Sequence, residues 1–194
     1  MSQLQLLFAT NNQHKIEEIQ AVTGNNIKII GLKDAGIDID IPEPHDTLEK
    51  NATEKSSAIF ALTGISCFSE DTGLEVEALN GEPGVRSARY AGTGSSDDNI
   101  NMLLNNLSDK TNRRARFRTV ISLIWKGTDH LFEGICEGII TNGRKGNGGF
   151  GYDPVFMPAG STKTFAEMSL QEKNKFSHRK KAADQLVLFL QQLV

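Results

Sequence analysis

Apolar positions fall into short runs whose spacing alternates between strand-like and helix-like along the chain. The run LQLLFA at 4–9 predicts a buried strand, and in the following HKIEEIQAVTG the residues Ile16, Ile19 and Val22 share a helical face that Gly24 closes. IKIIGL at 27–32 predicts a second strand, and IDIDIPEPH, broken by Pro42 and Pro44, predicts a fixed extended loop. Asp46 and Glu49 read as a capping pair for a helix over TLEKNATEKSSAIFALT, which ends before Gly64 and carries an apolar face of Leu48, Ala52, Ile59 and Leu62. ISCFS then leads to a polar corner, EDTG, at a strand end, and LEVEAL alternates like a strand while also fitting a helical turn. Beyond the Gly- and Ser-rich connection NGEPGVRSARYAGTGSS, DDNINMLLNNL sets Ile100, Leu103, Leu104 and Leu107 at helical spacing behind Asp caps. ARFRTVISLIWKG and HLFEGICEGIIT predict an antiparallel pair with one solvated face. A glycine-rich loop, NGRKGNGGFGYDP, leads to VFMP, and a last helix covers ADQLVLFLQQL.

Helices between strands in the first half and paired strands in the second imply an α/β or α+β architecture with a mixed sheet. The 194 residues show no repeat and no linker, which fits a single domain, 1–194, with room for two lobes and a cleft. With 38% apolar and 23% charged residues the chain is globular in composition. A formal net charge of -3 gives no general pull toward nucleic acid or anionic membranes, so an anion site has to be built locally. No apolar run reaches the roughly 20 residues of a membrane span and the start carries no signal-like segment, so the expected location is cytoplasmic. Cys67 and Cys136 lack metal-ligand spacing and read as small buried hydrophobes.

Four features can carry chemistry. Lys55 interrupts the apolar line Leu48, Ala52, Ile59, Leu62, either as a snorkelling stem or as a charge directed into a cleft. Glu70 and Asp71, with Glu43 between two prolines, offer carboxylates of the kind that hold Mg²⁺ or activate water, or that simply cap turns. GNGGFG matches the letters of a dinucleotide fingerprint, but no helix follows it directly; it reads instead as a flexible loop in which Phe150 and Tyr152 can stack on a base or pack in a core. EKNKFSHRKK gathers Lys173, His178 and Arg179 with further lysines, a solvated basic face or a phosphate and purine site.

Taken in order, FATNNQHK, NATEKSSA, SEDTGLEVEALNGEPGVRSARYAG, GGFGYDPVF and TFAEMSLQEKNKFSHRKKA closely resemble the inosine triphosphate pyrophosphatase family. The resemblance runs nearly end to end. It implies a mixed, twisted sheet flanked by helices, two lobes around a deep cleft, and a homodimer. It also implies Mg²⁺-dependent hydrolysis of inosine, deoxyinosine or xanthosine triphosphate to the monophosphate and pyrophosphate, with no nucleic-acid or membrane partner. Carried over residue by residue, Thr10, Asn12 and Lys15, with Asn11, Gln13 and His14 between them, would hold the triphosphate. Lys55 would point to the phosphates, Glu43 and Asp71 would serve the metal, Asp71 would be the base for water, and Glu70 would stand beside it. Thr72 would contact substrate. Phe150, Gly151, Tyr152 and Asp153 would enclose the base, and Lys173, His178 and Arg179 would complete the contacts. Ser87 and Arg89 match the SARYAG segment.

Two departures stand out: Asn11 where the family usually has glycine, and Arg86 where an aromatic or aliphatic residue is common. An enzyme acting on pyrimidine or modified nucleotides and a non-catalytic nucleotide sensor are the rival readings. The intact set Glu43, Lys55, Glu70 and Asp71 argues against the sensor.

Overall fold

A computed structural model describes residues 3–193. The strands are β1 (Leu4–Phe8), β2 (Ile27–Gly31), β3 (Cys67–Val76), β4 (Pro83–Gly84), β5 (Arg114–Trp125), β6 (Thr128–Ile140) and β7 (Phe156–Pro158). The helices are α1 (Gln13–Thr23), α2 (Leu48–Thr63), α3 (Ser96–Asn106), α4 (Leu170–Lys173) and α5 (His178–Gln191). Among the described residues the strands form one sheet of order β2-β1-β3-β5-β6-β7, with β4 beside β3. It is mixed: β1 runs parallel to β2 and β3, whereas β3–β4 and β6–β7 are antiparallel. The fold is therefore a mixed α/β sheet flanked by helices, as the alternation of patterns predicts.

The chain divides into two compact units. The first comprises residues through Asp71, Thr119–Gly134 and the chain from Arg179 onward. Here the period of two along β1 sends Leu6 and Phe8 to one face, where they meet Ile19 of α1 and Ala182, Ala183, Leu186 and Leu190 of α5. Leu7 and Ala9 go to the other face and share a cluster with Ile59 of α2. Both faces of this part of the sheet are thus covered by helices. Phe8 stacks on Phe68 with ring centroids 4.2 Å apart. The second unit, Thr72–Arg118 and Ile135–His178, has its own core. Leu74 and Val76 of β3 pack there with Ile100 and Leu103 of α3, Phe117 of β5 and Phe156 and Phe165.

Several sequence expectations need correction. EDTG is no corner: β3 runs unbroken through Glu70 and Asp71, because their charges find partners inside the protein instead of in water. The cap of α2 is Thr47, whose hydroxyl accepts from Lys50 N, not the Asp46–Glu49 pair. Leu62 is 59% exposed, since the helix outruns its buried stretch after Ile59. Residues 119–124 of β5 are buried continuously, not alternately, because helices cover both faces there. The last helix starts at His178, a turn earlier than its apolar spacing suggests.

Cys67 and Cys136 are buried thiols not joined in a disulfide, and burial pushes the Cys67 thiol up to about 11, leaving it inert. No helix among the described residues is long and apolar enough to cross a membrane.

Close packing of β6 against β7 rests on Gly138, which lies opposite Pro158. A Cβ there would come within 2.4 Å of Met157 O and 2.6 Å of Phe156 Cζ. Gly138→Ala is expected to destabilise the protein by about 2 kcal/mol through overpacking. A urea midpoint unchanged from the wild type would show that the strands part without cost.

Candidate functional site

Alternation along β3 decides where its two adjacent carboxylates go. Phe68 and Glu70 face the side of α1 and α5, whereas Cys67, Ser69 and Asp71 face the side of α2. Glu70 and Asp71 are neighbours in sequence but serve opposite faces of the sheet.

On the first face lies a cage of charges. Arg179, in the first turn of α5, is 2% exposed. Its Nε and Nη2 donate to Glu70 Oε2 and Oε1 at 2.6 and 2.9 Å, and its Nη1 donates to Glu18 Oε2 at 2.5 Å. Lys15 Nζ lies 2.9 Å from Glu70 Oε1. Burial alone would push the Glu70 carboxyl up, but Arg179 and Lys15 outweigh it and hold the group well below the usual carboxylate range. The same carboxylates raise the guanidinium's pKa against the effect of its burial.

On the second face Lys55 Nζ stands between two acids, 2.5 Å from Glu43 Oε1 and 3.6 Å from Asp71 Oδ1. Asn51, one turn earlier on α2 and fully buried, donates from Nδ2 to Asp71 Oδ2 at 3.2 Å and binds the His45 backbone through both ends of its amide. Burial raises the Asp71 pKa, and Glu43 adds to this against the opposing pull of Lys55, Lys15 and Asn51. The two faces together set three cations, Lys15, Lys55 and Arg179, against four carboxylates, Glu18, Glu43, Glu70 and Asp71.

The donor set suits a hard divalent cation. Glu43 and Asp71 offer oxygen ligands to one point, and the first unit's cluster carries more carboxylates than cations. Among the described residues no group of three His, Cys, Asp or Glu side chains forms a ready cage. Mg²⁺ does not need one, because it is commonly held by one or two carboxylates, with water and substrate phosphates filling the remaining positions.

The loop before α1 presents backbone N–H groups at a helix N-terminus, a natural anion site. Asn12 caps the helix by accepting from Lys15 N at 3.2 Å, and Thr10 Oγ1 accepts from Asn12 N at 3.1 Å. Asn11, Asn12, Gln13 and His14 are exposed. Asn11 is not among the described non-glycine residues with positive φ, so this loop needs no left-handed glycine there. Its Oδ1 instead accepts from Lys33 N at 3.1 Å, tying the loop to the turn after β2.

The second unit holds the other predicted group. Asp153, 3% exposed, accepts from Phe150 N at 3.0 Å and from Lys173 Nζ at 2.7 Å. The Lys173 ammonium also lies 5.3 Å from the Phe150 ring centroid and 5.1 Å from that of Phe165. Tyr152 is a core residue whose hydroxyl donates to Ser87 O at 2.9 Å, so its ring is committed to packing. His178 is buried with its ring stacked 4.5 Å from Phe117. Thr72 and Gly151 are half-buried. Ser87 Oγ accepts from Leu74 N and bonds Gly84 O, a scaffold role, and Arg86 pairs with Glu82 on the surface at 2.9 Å.

Within the first unit the structure brings together Lys15, Glu43, Lys55, Glu70, Asp71 and Arg179, and within the second Phe150, Asp153 and Lys173. Sequence reasoning missed Glu18 and Asn51. Asn51 was open to detection by helical spacing, four residues from Lys55, whereas Glu18 takes its role from Arg179, far off in sequence.

The chain is a member of the Ham1 family, whose sequence profile matches residues 6–189. This bears out the resemblance seen in the motifs. The dITP/XTP pyrophosphatase of Flavobacterium psychrophilum is 52% identical over 96% of this chain and 98% of its own. That of Porphyromonas gingivalis is 50% identical over 95% and 96%. The solved structure of the Staphylococcus aureus Ham1 protein superposes with a TM-score of 0.88 at 40% identity, covering 98% of this chain and all of that one.

The cage predicts an acid-sensitive stability. A carboxylate whose folded pKa is depressed stabilises the fold above its ordinary value of about 4.3 and loses that contribution as pH falls below it. Glu70→Gln is expected to cost about 3 kcal/mol at neutral pH, because it leaves the buried Arg179 with Glu18 but without the Glu70 charge and takes from Lys15 the carboxylate it pairs with. The gap to the wild type should narrow in urea titrations repeated near pH 3, and a gap independent of pH would show that the charge of Glu70 is not what stabilises.

Proposed function

We propose that the chain is a nucleoside triphosphate pyrophosphohydrolase, a hydrolase of acid anhydrides. It takes the non-standard purine nucleotides ITP, dITP and XTP to the monophosphate and pyrophosphate and so clears them from the nucleotide pool. The observation that carries this reading is the convergence of Glu43 and Asp71 on Lys55, in a chain whose near full-length relatives are named dITP/XTP pyrophosphatases.

Thr10, Asn11, Asn12, Gln13 and His14 lend the loop and helix N-terminus to the phosphates, and Lys15 and Lys55 offset their charge. Glu43 and Asp71 would hold Mg²⁺, which supplies charge neutralisation on the phosphate oxygens. Asp71 accepts a proton from the attacking water as an anhydride bond breaks and pyrophosphate leaves. Asn51 fixes the orientation of Asp71. Glu70 holds Lys15 in place and is itself held by Arg179. Thr72 contributes a further substrate contact.

Base recognition falls to Phe150, Gly151, Tyr152 and Asp153, with Lys173, His178 and Arg179. A backbone donor beside Tyr152 meets the six-position carbonyl of hypoxanthine, and adenine's amino group there would face donor against donor, while Arg179 acts through the carboxylates that enclose it. The family resemblance supports one domain with two lobes around a cleft, working as a cytoplasmic homodimer.

Incubation with Mg²⁺ and, separately, inosine, adenosine, guanosine and thymidine triphosphates should yield inosine monophosphate and pyrophosphate as the dominant products by chromatography. Inosine diphosphate with orthophosphate would sink the assignment, and binding without turnover would favour the sensor. Asp71→Asn should lower turnover by about 10³-fold while nucleotide binding stays measurable. Near-normal turnover would remove Asp71 as the base.

A further inference from the structure

Lys55 occupies the point toward which both proposed metal ligands turn. It reaches that point from the middle of α2, 7% exposed, while Glu43 arrives from the proline-bounded loop and Asp71 from β3. A solvated surface lysine has no reason to be there, since Ala52 and Ile59 on the same helical face are completely buried. Two carboxylates that converge on one point favour a cation between them, and the Lys55 ammonium supplies it.

We propose that Lys55 is an internal stand-in for the divalent cation: in the metal-free protein its ammonium bridges Glu43 and Asp71, and metal binding displaces it from both and releases it to the substrate's phosphates. This rests on the proposed function, because it takes Glu43 and Asp71 as the metal ligands. An ammonium at hydrogen-bond distance from Glu43 and a small divalent ion cannot share the same oxygens, and their like charges repel. Metal and ammonium therefore compete. The metal binds poorly alone, and better once a polyphosphate offers Lys55 another set of oxygens. Phosphate binding and metal binding favour each other through one side chain, with no movement of the fold.

The test is binding of Mn²⁺ alone, read from the electron paramagnetic resonance signal of the free ion. Lys55→Met should bind Mn²⁺ at least about tenfold more tightly than the wild type without nucleotide, whereas Lys55→Arg, which keeps the cation, should remain as weak as the wild type. A second measurement needs no variant: Mg²⁺ alone should speed acylation of Lys55 in the wild type several-fold relative to chelator, with Lys173 as the internal reference by peptide mass mapping. A folded Lys55→Met protein that binds Mn²⁺ no more tightly, or acylation of Lys55 indifferent to Mg²⁺, overturns the stand-in. If wild-type protein added to the non-hydrolysable nucleoside triphosphate takes up no more Mn²⁺ than the nucleotide alone and leaves the spectrum of the nucleotide-bound ion unchanged, the metal assignment itself falls, so the two failures are told apart.

Discussion

A guanidinium enclosed by protein is tolerable only if its hydrogen bonds are met by anions, and Arg179 meets this condition with Glu18 and Glu70. Those three side chains belong to α5, α1 and β3, so one electrostatic requirement fixes the relation of two helices to a strand. Lys15 joins the same carboxylate from the first turn of α1 and is thereby oriented at the mouth of the loop before that helix. The charges that would face a polyanion are thus anchored to the core of the first unit and do not hang from a mobile surface.

Strand geometry does the remaining sorting. Because β3 continues through its acidic residues, a single register sends one carboxylate to a structural cage and the next to Lys55 and Asn51. A one-residue slip would exchange them, placing Asp71 against Arg179 and Glu70 against α2, so the pairing of β1 with β3 is also what assigns the chemistry. Leu7 opposite Cys67 and Phe8 opposite Phe68 hold that register through apolar contacts on both faces.

Much of this was legible from the chain alone. β1, β2, α1 and α3 follow their apolar periods, and the Ham1 relationship could be read from separated motifs in order. What escaped was governed by partners remote in sequence. Glu70 looks like a solvated turn residue until Arg179, 109 positions away, is brought to it, and Glu18 reads as helix-surface charge until its partner 161 positions on is known. Thr47 was passed over as a cap because the acidic pair beside it looked stronger. At Asn11 the fold accommodates a side chain for a local reason: the backbone there is not left-handed, and the amide has a partner of its own in the Lys33 N–H.

The loop carrying Phe150 holds a different lesson. Gly149 is exposed, with φ of 72°, and a methyl group on it would stand 2.1 Å from Asp153 Oδ2, the oxygen that also receives Phe150 N and Lys173 Nζ. Solvent accessibility is therefore a poor guide to tolerance here. A surface position here is as closed to a side chain as one in the core, because the space beside it is reserved for a single carboxylate oxygen.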